Sequence, residues 1–206
     1  MQPALVRYVL SVMITLMLLA PAAVSASTWK INPDHSSIQF QVRYMSLINV
    51  KGAFDKFQGD VTLDEKNPSK SSFEVTVESA SINTGVEKRD EHLRTDDFFD
   101  CPKYPTIRFV SKKVIPAGKQ KLKVIGDLTM LGVTKEVVLH VDGPTPEIKD
   151  PWGNIRRGAT ARTRVNRHDF GMTWNRALDA GGIMISKMVD VIMEVELVKA
   201  AEEQPS

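Results

Sequence analysis

From Met188 to Val198 an apolar side chain returns at every second position: Val189, Val191, Met193, Val195 and Leu197. Successive side chains of an extended chain point to opposite faces, so this run describes a strand with one buried and one wet face. The same period recurs through most of the sequence. Ile38, Phe40 and Val42 alternate with Gln39, Gln41 and Arg43; Phe73, Val75 and Val77 alternate with Glu74, Thr76 and Glu78. Thr106 to Val114 sets Ile107 and Phe109 against Arg108. Leu122 to Met130 and Val133 to Val141, joined at Leu131-Gly132, read as a hairpin whose apolar face holds Leu122, Val124, Leu128, Val137 and Leu139. Thr28 to Ile31 is a short first strand, and Val50 to Leu63 keeps strand character around Gly52 and Gly59. Interior glycines read as bulges or sharp bends, and the opposite parity of Phe54 and Phe57 places a bulge between them. About eight antiparallel strands at this spacing fit a closed up-and-down barrel or a two-sheet sandwich. The bends favour the barrel.

One stretch breaks the pattern. Thr84 to Phe99 has the marks of a charged helix: Thr84 and Glu87 form a capping box, and Asp90 and Arg94 form an i,i+4 pair. Val86, Leu93, Phe98 and Phe99 give it a thin apolar edge, expected to face the barrel. Asn166 to Met172 reads as a second, shorter helical turn capped by Asn166.

The chain opens with Arg7 and a 13-residue apolar run, Tyr8 to Ala20, followed by small residues at Val24-Ser25-Ala26. This is the pattern of a signal peptide over residues 1–26, and the run is short for a membrane span. It implies export to the periplasm and leaves 180 residues, enough for one core-forming domain over residues 27–199, with a tail at 200–206. The formal net charge of +2 argues against bulk nucleic-acid binding. Cys101 is the only cysteine, so no intramolecular disulfide and no cysteine-cluster metal site is available.

Catalytic signatures are missing. There is no phosphate-binding glycine loop, dinucleotide fingerprint or nucleophile elbow. His35, His92, His140 and His168 fall on four different elements without metal-ligand spacing. The acidic helix residues are explained as a solvated face. The alternating apolar residues either fill the barrel or line a cavity, and composition does not separate the two.

Several stretches together resemble the YceI-like family of polyisoprenoid-binding periplasmic proteins. They are Asp34-His35-Ser36 with Ile38-Gln39-Phe40; Gly52-Ala53-Phe54 and Phe57-Gln58-Gly59; Lys88 to Leu93 with Asp97 to Asp100; Lys103 to Phe109; Gly126 to Lys135; and Asn166 to Met172. The sequence departs from that pattern at Tyr44, where a histidine is common, and at Cys101, where an apolar residue is usual. The resemblance implies an eight-stranded, antiparallel, lipocalin-like barrel with one capping helix. It implies an isoprenoid lipid or quinone in the pore, no catalysis, no metal, no other cofactor and frequent pairing as homodimers.

On that reading the pore wall is Ile38, Phe40, Val42, Phe54, Phe73, Val75, Val77, Phe109, Leu128, Leu139, Val191 and Met193. The candidates for the polar mouth are His92, Arg94, Arg89, Arg167, His168 and Asp169, which equally suit salt bridges locking the helix to the barrel. Loading such a ligand implies transient contact with a membrane. Two further readings stand beside this one: a small-molecule hydrolase or isomerase using His92 or His168, and a filled, stress-related barrel without lipid.

Overall fold

The computed structural model describes residues 26–179 and 181–200. The expected signal peptide and tail therefore lie outside the described residues, apart from Ala26 and Ala200. The strands are β1 (Ser27–Ile31), β2 (Ser37–Tyr44), β3 (Ile48–Phe54), β4 (Phe57–Leu63), β5 (Ser72–Glu78) and β6 (Ile82–Asn83), followed by the helix α1 (Glu87–Leu93). Then come β7 (Thr106–Pro116), β8 (Lys121–Met130), β9 (Val133–Asp142), β10 (Ile148–Lys149), β11 (Ile155–Asn166) and β12 (Ile185–Lys199).

These segments make one closed antiparallel sheet. β1, β4, β5, β7, β8, β9, β11 and β12 form a ring, closed because β12 pairs with both β1 and β11. Three of the four extra segments, β2, β3 and β6, arise because three long strands are broken, and β10 is a short addition beside β11. β1 and β2 lie end to end along β12, with Ile31 opposite Leu197 and Ser37 opposite Glu194. β4 and β3 follow beside them, and then β5 and β6. The result is the eight-stranded barrel, and the sandwich alternative falls away.

The expected bulge between Phe54 and Phe57 is the break at Asp55-Lys56 between β3 and β4. The glycines serve a different purpose from the expected one. Gly52 sits in regular register opposite Phe40, and an added Cβ would meet the Phe40 ring at 2.4 Å. Gly126 likewise accepts the Phe109 ring at 2.5 Å. Gly52 is a slot for a neighbouring ring and Gly59, in regular register opposite Val75, one for the Ile31 side chain, rather than bends, whereas Gly126 lies beside the register shift between Ser111 and Lys113.

One end of the barrel is filled. Trp29, Ile31, Val61, Leu63 and Leu197 pack together there, beside Phe109, Val114, Leu122, Val124, Val141 and Ala161. The other end carries the β2–β3 turn, the Leu131-Gly132 hairpin turn, α1 and the segment from Arg167 to Met184.

The helix is shorter than the sequence suggests, seven residues rather than Thr84 to Phe99. Thr84 does not cap it. The Thr84 N–H donates to the Asp90 carboxylate at 2.9 Å, and the Thr84 hydroxyl donates to it as well. Asp90 is thereby buried at 6% exposure and forms no pair with Arg94, whose guanidinium reaches the carbonyls of Ala80 and Ile82 at 2.8 and 2.9 Å. Val86 lies outside the first turn and is exposed rather than turned to the barrel. Residues 94–103 follow as turns rather than helix, with Cys101 buried among them.

Candidate ligand cavity

The open end of the barrel encloses a cavity of about 530 Å³. Alternation along the strands builds its wall. β2 contributes Ile38, Phe40 and Val42, and β3 contributes Phe54. Val75 and Val77 come from β5, Leu139 from β9, and Val191 and Met193 from β12. Phe109 and Leu128, on facing strands β7 and β8, meet Leu139 and Met193 where the wall passes into the packed cluster, so the filled end is the floor. Phe73 is absent from this wall. It sits one pair nearer the filled end than Val75 and packs with the clusters there.

The roof comes from α1 and its exit. Leu93, Phe98 and Phe99 line the cavity, and the Phe99 ring meets Phe54 edge-on at a 5.6 Å centroid distance. The chain reverses after Thr95, where Asp100 N–H returns to the Thr95 carbonyl at 2.8 Å, and this reversal carries Phe98 and Phe99 inward. The cavity meets solvent beside the β2–β3 turn, because Ile48 both lines it and is 58% exposed.

Few polar side chains reach this space. Among the expected mouth residues, His92, Arg89 and Arg167 line it, whereas Arg94, His168 and Asp169 do not. Arg94 ties α1 to the chain before it, as described above. His168 is exposed and donates its backbone N–H to the capping Asn166 side chain at 3.2 Å. Asp169 accepts from Asn166 Nδ2 at 2.8 Å on the outer surface. Tyr44, Thr84, Thr163 and Trp174 also line the cavity, and the reading of the sequence missed them. Tyr44 and Thr163 continue the inward parity of their strands, so that pattern held the signal. Trp174 lies in an irregular segment where no period applies.

The polar atoms are held in fixed arrangements. Arg89 Nε donates to the Thr84 hydroxyl at 2.7 Å, and that hydroxyl donates in turn to the Asp90 carboxylate. His92 Nε2 lies 2.8 Å from Asp97 Oδ2, and its ring stands edge-on to both Phe98 and Trp174 with centroids 5.0 Å away. Arg167 is only 3% exposed. It donates to the carbonyls of Met172 at 2.7 Å and Ser186 at 3.1 Å, and burial draws its pKa below the usual arginine value. The cavity thus presents two guanidinium groups and no lining carboxylate. Among the described residues, no group of three or more His, Cys, Asp or Glu side chains is placed to hold a metal ion.

Residues 29–197 match the model of the YceI-like domain. The chain belongs to the YceI-like family. A UPF0312 protein of Shewanella denitrificans is 34% identical over 192 residues, covering 91% of this chain and 97% of that relative. The YceI protein of Campylobacter jejuni has a crystal structure of the same fold, with a TM-score of 0.66 and 30% identity over 75% of this chain and 88% of that one. A domain from Saccharophagus degradans, described as polyisoprenoid binding and implicated in plant cell wall breakdown, shares the fold at a TM-score of 0.59 and 14% identity. That match covers 85% of this chain and all of the other. The YceI-like barrel seen here is therefore filled at one end and hollow at the other.

Proposed function

We propose that this YceI-like barrel is an exported, periplasmic carrier or store of an isoprenoid lipid or isoprenoid quinone. The observation that carries the reading is the apolar cavity of about 530 Å³, with a packed floor, an aromatic roof and donor groups among its few polar side chains. Its volume falls within the roughly 300–1,000 Å³ usual for small-molecule sites. A polyprenyl tail needs no directed bonds to enter it, since each buried CH₂ contributes roughly 0.8 kcal/mol. The guanidinium groups of Arg89 and Arg167 favour a head group that accepts hydrogen bonds, as quinone carbonyls do. The polyisoprenoid-binding description of the Saccharophagus degradans domain supports the tail chemistry. The apolar run after Arg7 supports export. The reading assigns no catalytic residue, metal or further cofactor, and every wall of the cavity comes from one chain.

Mass spectrometry of an organic extract, made from protein purified under native conditions, tests the reading. An isoprenoid chain in stoichiometric amount is expected. An extract without one, from protein expressed in cells that make quinone, would remove the proposal.

A further inference from the structure

The cavity mouth has an unusual lip. The β2–β3 turn exposes Leu47 at 70% and Ile48 at 58%, and the loop before β12 exposes Ile183 at 50%. The two segments are joined, since the Met45 N–H donates to the Met184 carbonyl at 2.7 Å. The turn is also rigidly shaped. Met45 and Ser46 both have positive φ, 49° and 57°, and the Leu47 N–H closes onto the Tyr44 carbonyl at 2.9 Å. This is the type I′ geometry that usually recruits Asn and Gly. It holds Leu47 out in solvent instead of letting it turn into the apolar cavity beside it.

The lip is basic as well as apolar. Arg43, Lys51, Arg176 and Lys187 are all exposed around it. Asp179 is the sole acidic residue in the stretches 43–51 and 174–187. Apolar tips flanked by cations are the composition of a surface that rests in the interface of an anionic bilayer. A two-fold pairing of copies through this lip would set its cations against their own kind.

We infer that this lip is a docking surface for an anionic phospholipid bilayer, seating the cavity mouth on the membrane. The inference rests on the proposed lipid-carrying function and says how the ligand is loaded. A tail crossing from bilayer to cavity would otherwise expose its apolar length to water, which opposes the transfer. Leu47 and Ile183 buried at the membrane surface close that gap.

The test uses protein beginning at Ala26, which carries every described strand, in vesicle co-sedimentation. Vesicles of phosphatidylcholine with phosphatidylglycerol should bind it, and vesicles of phosphatidylcholine alone should not. Added salt should weaken the binding. Lys51→Glu and Lys187→Glu should each weaken it at least about fivefold, the worth of one basic residue near such a surface. Leu47→Asp and Ile183→Asp should abolish it. All four variants should keep the parent thermal midpoint and the parent uptake of the apolar dye N-phenyl-1-naphthylamine in solution.

Three results would overturn the inference. They are no binding to anionic vesicles, lip variants that bind as the parent does, or a dimer that Leu47→Asp converts to monomer, which would assign the lip to a second copy. Dye uptake without vesicle binding removes the docking surface alone. Failure of the parent protein to take up dye removes the cavity reading beneath it.

Discussion

The ring of Phe40 rests against the Cα of Gly52 on the neighbouring strand, so close that a side chain there would meet the ring Cζ at 2.4 Å and Thr84 Cγ2 at 2.8 Å. Both obstacles are side-chain atoms that line the cavity. A Gly52→Ala change is expected to turn the Phe40 ring into the cavity, lowering ligand uptake more than stability. At Gly126 a Cβ would meet the Val110 carbonyl as well as the Phe109 ring, each at 2.5 Å, and backbone does not yield. Gly126→Ala should therefore cost about 1–3 kcal/mol. Denaturant unfolding of the two variants, beside a dye-uptake titration, separates the effects. Equal stability losses at the two positions would contradict this account.

The division into a filled and a hollow end gives a second contrast. Val77 is buried on the cavity wall, and Phe73 packs with the clusters at the filled end. Val77→Trp should fold, occupy the cavity with its indole and lose the ligand. Phe73→Ala should keep the ligand and lose about 3 kcal/mol of stability. Extract mass spectrometry and chemical denaturation of both proteins check this pair. A Val77→Trp protein that retains the full ligand load would move the binding site elsewhere.

The alternation of Val189 to Leu197, or of Ile38 to Val42, made the barrel wall legible in the sequence, because a period of two fixes which side chains turn inward. It did not show how far along each strand the interior is filled. Phe73 and Val75 have the same parity and both pack against the filled-end cluster, yet only Val75, one pair nearer the open end, also reaches the cavity wall. The charged helix was visible as an interruption, but its local pairings were not. Thr84 and Glu87 have capping-box spacing, yet Asp90 takes both Thr84 donors because the chain leaves β6 through Gly85 at positive φ and brings Thr84 over the helix. Arg94, with a carboxylate four residues back, instead finds the carbonyls of Ala80 and Ile82, which no sequence pattern brings near it.

Arg167 is the buried cation on which the segment after β11 turns. Its guanidinium donates to the Met172 and Ser186 carbonyls, joining that segment to the start of β12. Arg167→Met should leave both acceptors without their donor, at about 1–3 kcal/mol for each buried group. Arg167→Lys keeps the charge but not the planar fork, and only part of the loss should be recovered. Thermal unfolding of the two variants gives the comparison. Ligand affinity in the Lys variant then reports whether charge or geometry matters to the head group. A Met variant as stable as the parent would show that these hydrogen bonds do not hold the segment.

Acid sensitivity should arise at paired carboxylates: Glu196 and Asp150 at the filled end, and Asp190 on β12, whose pKa the Arg164 hydrogen bond lowers. Burial of Glu196 works against its charge, but hydrogen bonds from Asn32, Arg156 and His35 outweigh this and hold its pKa below the usual value. Burial likewise opposes ionisation of Asp150, yet hydrogen bonds from Asn154, Arg156 and the Trp152 backbone hold its pKa far below the carboxylate range. Both folded-state values lie under the unfolded ones, so the unfolded chain binds more protons as the solution is acidified. Their stabilising contribution is complete above the ordinary carboxylate pKa of about 4 and is lost as the pH falls through the lower folded values. The raised pKa of Arg156, caused by Asp150 and then Glu196, adds no slope in this window because the group stays charged throughout. The thermal midpoint should therefore hold level from pH 7 to about 5 and drop below about 4. Glu196→Gln should start lower at neutral pH and fall less steeply, with unchanged dye uptake at pH 5. A parent midpoint that rises on acidification would overturn this account, and a Gln variant with the full parental slope would show that Glu196 has no part in the acid limit.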